Sequence, residues 1–184
     1  MIETLTMLGA HPSCLPNSFV YWNNQQQRVT LHAIRPIEVG EELTVNFFQA
    51  RPFELRDKRR ELLYEHFGFV CSCAACLSPA HDNSLLEMKE IADRVDERRS
   101  GWYNVFATAE DLPLQIRDMA RYTSLMAEAG LNGAFLAEQY FYYAQLLFAA
   151  DKTNVNSHRV YLLGLLELLH CLGKDSGRYR FRMR

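Results

Sequence analysis

Hydrophobic and polar positions change period partway along the chain. Residues 18–47 alternate with the two-residue period of half-buried strands, which predicts strands at Ser18–Trp22, Arg28–Ile34 and Glu42–Phe47. Asn23-Asn24 followed by Gln25–Gln27 reads as a hairpin connection, and Pro36 and Gly40 bracket a second turn. From Pro52 the period becomes helical: Leu55, Arg59, Leu62, Leu63 and Phe67 fall on one face, and Gly68 stops the helix. Ser78-Pro79 marks a break, after which Leu85, Met88, Ile91, Ala92 and Val95 form an apolar stripe. Three further helices are predicted at Leu114–Ala129, Gly133–Ala149 and Val155–Cys171, separated by Gly130–Asn132 and Asp151–Asn154. The pattern predicts an α+β chain with a β-rich part at 1–78 and a helical part at 79–184, arranged as a bundle or as TPR-like hairpins, although no repeat of fixed period is visible.

Composition narrows the classes. With 184 residues, 48% of them apolar, the chain can bury a core of its own. A net charge of −2 argues against nucleic acid as a partner, because phosphate binding needs uncompensated Lys and Arg. Only the segment Lys174–Arg184 is visibly basic, and its alternation of Arg with bulky apolar groups reads as a disordered terminus rather than a binding element. No apolar run reaches the ~18 residues of a membrane span, since Val160–Cys171 is short and carries Glu167 and His170. Met1–Leu5 lacks the basic patch of a secretory leader. An intracellular, reducing setting, nucleus and/or cytoplasm, is expected.

The cysteines sharpen that expectation. Cys71, Cys73 and Cys76 lie within six residues, too close for ordinary disulfides, and the total of five is odd. Metal ligation accounts for the triplet. A tetrahedral Zn²⁺ needs a fourth ligand from elsewhere, for which Cys14, His66 and His81 are the candidates, and with four protein ligands the ion would be structural, without an open position for water. Cys171, alone on an apolar helix, reads as core packing.

Three ordered segments carry a family resemblance: His11-Pro12-Ser13-Cys14-Leu15-Pro16-Asn17, Gly40-Glu41-Glu42-Leu43-Thr44-Val45-Asn46-Phe47, and Phe67-Gly68-Phe69-Val70-Cys71-Ser72-Cys73-Ala74-Ala75-Cys76. Together they resemble the C-terminal part of a SET domain with its post-SET cysteine motif, as found in SET and MYND (SMYD-like) methyltransferases and fungal SET-domain proteins. The resemblance covers residues 5–78, with a helical region beyond. It implies a structural Zn²⁺ on Cys14, Cys71, Cys73 and Cys76, and transfer of a methyl group from S-adenosylmethionine to a lysine of a protein substrate, histones among them. It puts Phe47 at the position of the family's catalytic tyrosine, Phe67 in the lysine channel, and His11, Pro12 and Phe69 at the cofactor.

Departures from the pattern run alongside. Phe47 keeps the ring but not the hydroxyl that would orient donor and acceptor. Pro12, where the family has the second residue of an Asn-His pair, supplies no backbone N–H. The family's Gly-x-Gly cofactor loop lies upstream of the first motif, and ten residues precede His11 here. The resemblance therefore predicts an N-terminally incomplete, catalytically impaired SET segment, with a non-catalytic, zinc-stabilised protein-interaction module as the alternative. Read without the resemblance, Phe47, Tyr64, Phe67 and Phe69 are simply an aromatic core around the cysteine loop.

Overall fold

A computed structural model describes residues 9–47, 54–98 and 110–183. The leader reading at Met1–Leu5, the change of period at Pro52 and the terminal Arg184 lie outside the described residues. By packing, the chain divides into one compact unit of residues 1–86 with 169–184, and a second of residues 87–168.

In the first unit, β1 (His11–Pro12) pairs in parallel with β4 (Thr44–Val45), while β2 (Ser18–Asn23) and β3 (Arg28–Ala33) form an antiparallel hairpin. The hairpin runs in register from Ser18 opposite Ala33 to Asn23 opposite Arg28. Its turn is built by Asn23, whose side-chain oxygen accepts from the N–H groups of Gln25 and Gln26 at 3.0 and 3.1 Å. Residues 42–47, expected as one strand, pair over Thr44–Val45 only, because β1 offers a partner of two residues. Pro12 sits in that partner without loss: the ladder takes the N–H of His11 to Leu43 O and of Ser13 to Val45 O, both at 2.9 Å, so the missing donor falls on the side that does not pair.

Asn17 locks this small sheet together. It is completely buried; its Nδ2 donates to Glu41 Oε1 and the Glu42 carbonyl at 3.0 and 2.8 Å, and its Oδ1 accepts from Thr44 N–H at 2.8 Å and from the Ser18 hydroxyl. Every hydrogen-bonding group of the side chain is used.

Helix α1 (Arg56–Phe67) ends as expected at Gly68, which adopts φ 72° and donates to Tyr64 O. Its start is capped from a distance: both Asp82 carboxylate oxygens accept the Arg56 N–H, at 3.0 and 3.2 Å. A short helix α2 (Ala74–Leu77) follows in the cysteine loop, and α3 (Pro79–Glu97) then begins on a proline, whose missing N–H belongs to the unpaired first turn anyway. The expected break at Ser78-Pro79 is thus a helix start.

The second unit contains most of α3 together with α4 (Leu112–Glu128), α5 (Ala134–Ala150) and most of α6 (Val155–Leu172). The helix expected from Leu114 begins two residues earlier, at Leu112. Helices α4 and α5 pack against each other as a hairpin closed by Gly130, at φ 72°. Met119, Met126, Leu136, Phe141 and Leu168 are buried. Gly164 fits closely: a Cβ there would lie 2.7 Å from the ring of Phe141, which also packs on Tyr161 at 4.9 Å. The buried Asp118 receives Arg98 at 2.6 Å and Arg94 at 3.3 Å, and Glu167 accepts the Gly133 N–H at the start of α5 at 2.7 Å.

Two expectations are corrected at the end of the chain and in the aromatic set. The basic segment is not a disordered tail: residues Gly177–Arg182 form α7, capped by the Ser176 hydroxyl, which accepts from Tyr179 N–H. Tyr64 is 62% exposed and takes no part in the core around the cysteines. Cys171 is buried, as core packing requires. No helix among the described residues is long and apolar enough to cross a membrane.

Candidate metal centre and aromatic site

Cys14 lies between β1 and β2, while Cys71, Cys73 and Cys76 lie between α1 and α3. Folding brings all four sulfurs within 4.8 Å of one another. Cys14 Sγ is 3.6 Å from Cys76 Sγ and 4.0 Å from Cys71 Sγ. Four thiolates around an ion at ~2.3 Å stand about 3.8 Å apart in a regular tetrahedron, so the observed spacing suits a metal, and no disulfide joins the four cysteines. The chemistry of the donor set and its spacing therefore fit a soft divalent ion such as Zn²⁺. Among the described residues the group contains neither histidine raised by the sequence: His66 is bonded through its ring to the Leu62 carbonyl at 3.0 Å, and His81 is buried beside a small cavity.

The electrostatics of the four sulfurs are divided unevenly. Hydrogen bonds from Cys14, Cys71 and Cys76 hold the Cys73 thiol far below the usual thiol range, and donation from Cys14 and Cys71 brings Cys76 down to about 6. The Cys14 thiol, hydrogen-bonded with Cys71, Cys73 and Cys76, is pushed up. The thiolate is the form of cysteine that ligates metal.

Helix α1 carries the supports. Arg60 Nε donates to the Cys71 carbonyl at 3.0 Å. Arg59, only 7% exposed, reaches the Ala75 carbonyl at 3.2 Å and Cys76 Sγ at 3.8 Å with one nitrogen, and the Glu54 carbonyl at 2.6 Å and Asp82 at 3.3 Å with the other. The backbone N–H of Cys14 points at Cys73 Sγ at 3.4 Å. The cysteine pattern alone did not single out Arg59 for a role; its signal is an arginine standing at a buried position of an otherwise apolar stripe.

Three of the expected aromatic positions come together beside the sulfurs. Phe47 and Phe67 meet edge to face at 5.1 Å, and Phe67 and Phe69 lie 6.5 Å apart. All three pack on the cluster of Leu63, Cys71 and Cys76, and Phe47 also joins the Ala10–Val45 core. A cavity of about 20 Å³ lies against Pro12, Phe47, Arg59 and His81. A second, open groove of about 490 Å³ runs past His11, Pro12, Glu41, Glu42, Phe69 and Cys73. His11 itself is exposed and pairs with Glu42 at 3.2 Å.

Residues 10–48 match the SET domain family. The chain is 40% identical over 63 residues to the histone-lysine N-methyltransferase set5 of Schizosaccharomyces pombe, covering 34% of this chain and 19% of that protein. It is 30% identical over 98 residues to the human histone-lysine N-methyltransferase SMYD3, covering 49% and 22%, and 32% identical over 79 residues to the chicken protein-lysine N-trimethyltransferase SMYD5, covering 42% and 19%. The matched segment therefore spans about one-fifth of each of these relatives.

Proposed function

We propose that this SET-type, SMYD-like chain is the zinc-closed C-terminal part of a protein-lysine N-methyltransferase SET domain, acting in an intracellular, reducing setting. The observation that carries the reading is the four-sulfur centre, which ties the segment at 11–17 to the loop at 67–76 and leaves Phe47, Phe67 and Phe69 packed beside it. A Zn²⁺ on Cys14, Cys71, Cys73 and Cys76 is structural in this reading, since four protein ligands leave no position for water.

The groove past His11, Pro12 and Phe69 is of the size that takes a small cofactor, and it sets a phenyl face beside polar groups. S-adenosylmethionine bound there would supply the methyl group on its sulfonium. In this reading Phe69 offers its ring to the adenine. Phe67 and Phe47 form an apolar wall that can confine a lysine side chain and exclude water from its amine. Phe47 aligns by shape alone: without a hydroxyl it cannot hydrogen-bond to either reacting partner, so orientation is the weak point of this site. The substrate class that fits is a protein lysine, histone lysines included, following the names of the relatives.

The test is methyl transfer from labelled S-adenosylmethionine to a histone and bulk-protein mixture by the metal-loaded chain. Weak transfer is expected from the wild type, with a rise of roughly 10²-fold or more on Phe47→Tyr, the scale of restoring an oriented group. A second reading, a non-catalytic zinc-stabilised interaction module, is favoured by Phe47 and by Pro12, which offers no N–H to a cofactor. Absence of transfer by both wild type and Phe47→Tyr, with metal bound, would decide for it.

A further inference from the structure

The surroundings of the sulfurs pose an electrostatic problem. Four thiolates around one divalent cation leave a net charge of −2, and Cys71 and Cys76 are both buried, so water cannot offset that charge on their side. Cys14 and Cys73 are half-exposed, and Cys73 also takes the Cys14 N–H. The buried Cys76 sulfur has a cationic donor near it, the Arg59 guanidinium at 3.8 Å. Arg59 is fixed there from three directions, by the carbonyls of Ala75 and Glu54 and by Asp82, which holds the far side of the fork and caps α1 as well. The pair Arg59–Asp82 thus turns its positive end toward the Cys76 sulfur, on the buried side of the cluster.

Resting on the reading of the four cysteines as a zinc centre, we propose that Arg59 is the positioning and charge-compensating residue of that centre. Its N–H donation stabilises the Cys76 thiolate, lowers the energy of the sulfur lone pair and holds the turn Cys73–Leu77 in ligating geometry. The role is that of an outer-shell partner, which orients a ligand and tunes its basicity.

The experiment is a titration of the metal-free full chain with Co²⁺, followed by competition with Zn²⁺, for wild type, Arg59→Met and Arg59→Lys. Wild type is expected to give the absorption of tetrahedral four-thiolate Co²⁺. Arg59→Met keeps the aliphatic stem and is expected to bind either metal roughly 10–100-fold more weakly, the usual loss for an outer-shell partner. It should also shift the sulfur-to-cobalt charge-transfer band to longer wavelength, because an undonated lone pair lies higher in energy. Arg59→Lys, which keeps the charge without the fork, is expected between the two in both readouts. Weaker binding with an unmoved band would mean that Arg59 only braces the turn, and unchanged binding would leave it no role; either result overturns the proposal. Should the wild type itself give no tetrahedral thiolate spectrum, the zinc reading fails and this inference falls with it.

Discussion

Asn17 shows at the scale of one residue how much of the site depends on a side chain with no chemistry of its own. It joins the segment carrying Cys14 to the stretch that leads through β4 to Phe47, by hydrogen bonds to Glu41, the Glu42 carbonyl and the Thr44 N–H. Asn17→Ala leaves several of these part-buried partners unpaired, and at about 1–3 kcal/mol for a fully buried group left unpaired the loss is expected to be roughly 2–4 kcal/mol in denaturant unfolding. Glu41 makes the same region sensitive to acid. Arg35, the Asn17 amide and the Glu38 N–H hold its carboxyl at about 2, below an ordinary 4.5. A carboxyl depressed in the folded state contributes stability that is complete above its unfolded value and is lost as pH falls through the folded one. The unfolding midpoint of the wild type is therefore expected to drop between pH 4.5 and 2 more steeply than that of Glu41→Gln; parallel curves would contradict the assignment. The sequence made Asn17 visible as a motif member, but its role depends on contacts 24–27 positions away, which no local pattern carries.

Among the elements, the helices and the β2–β3 hairpin were legible because their signals are local. Period, turn residues and glycine stops placed α1, α5 and α6 within a few residues of where they lie. The strand at 42–47 was overestimated because strand length is set by the partner, and the partner is two residues long. The helix α7 was missed because six residues with a serine cap show no apolar period. Tight packing between helices is equally hidden from a one-dimensional reading. Gly164 occupies a helix interior, where alanine ordinarily adds up to ~1 kcal/mol. Here a Cβ would lie 2.7 Å from the buried Phe141 ring. Gly164→Ala is thus expected to destabilise by about 1–3 kcal/mol, the usual range for overpacking, measured as a lowered thermal midpoint; a stabilised variant would contradict the packing described.

At the scale of the whole molecule, the four cysteines were the most legible part of the candidate site. Three cysteines in six residues point to a metal on their own, whereas the fourth candidate was open between Cys14, His66 and His81; the family resemblance implies Cys14, fifty-seven positions from Cys71, and the fold brings its sulfur among the other three. The arginines behind the sulfurs stayed hidden, since a charged residue in a helix usually marks the solvent face. Binding free energy at such a centre is folding free energy, because the unfolded chain has no preformed site. Removal of metal by a chelator is expected to lower the unfolding midpoint of the intact chain, and Cys14→Ser to abolish that dependence by breaking the long-range closure. The central claim, a four-sulfur zinc centre joining residue 14 to residues 71–76, is tested most directly by X-ray absorption at the zinc edge on the metal-loaded chain. The account predicts a first shell of four sulfurs at ~2.3 Å; a shell containing nitrogen or oxygen, or a chain that retains no zinc, would contradict it.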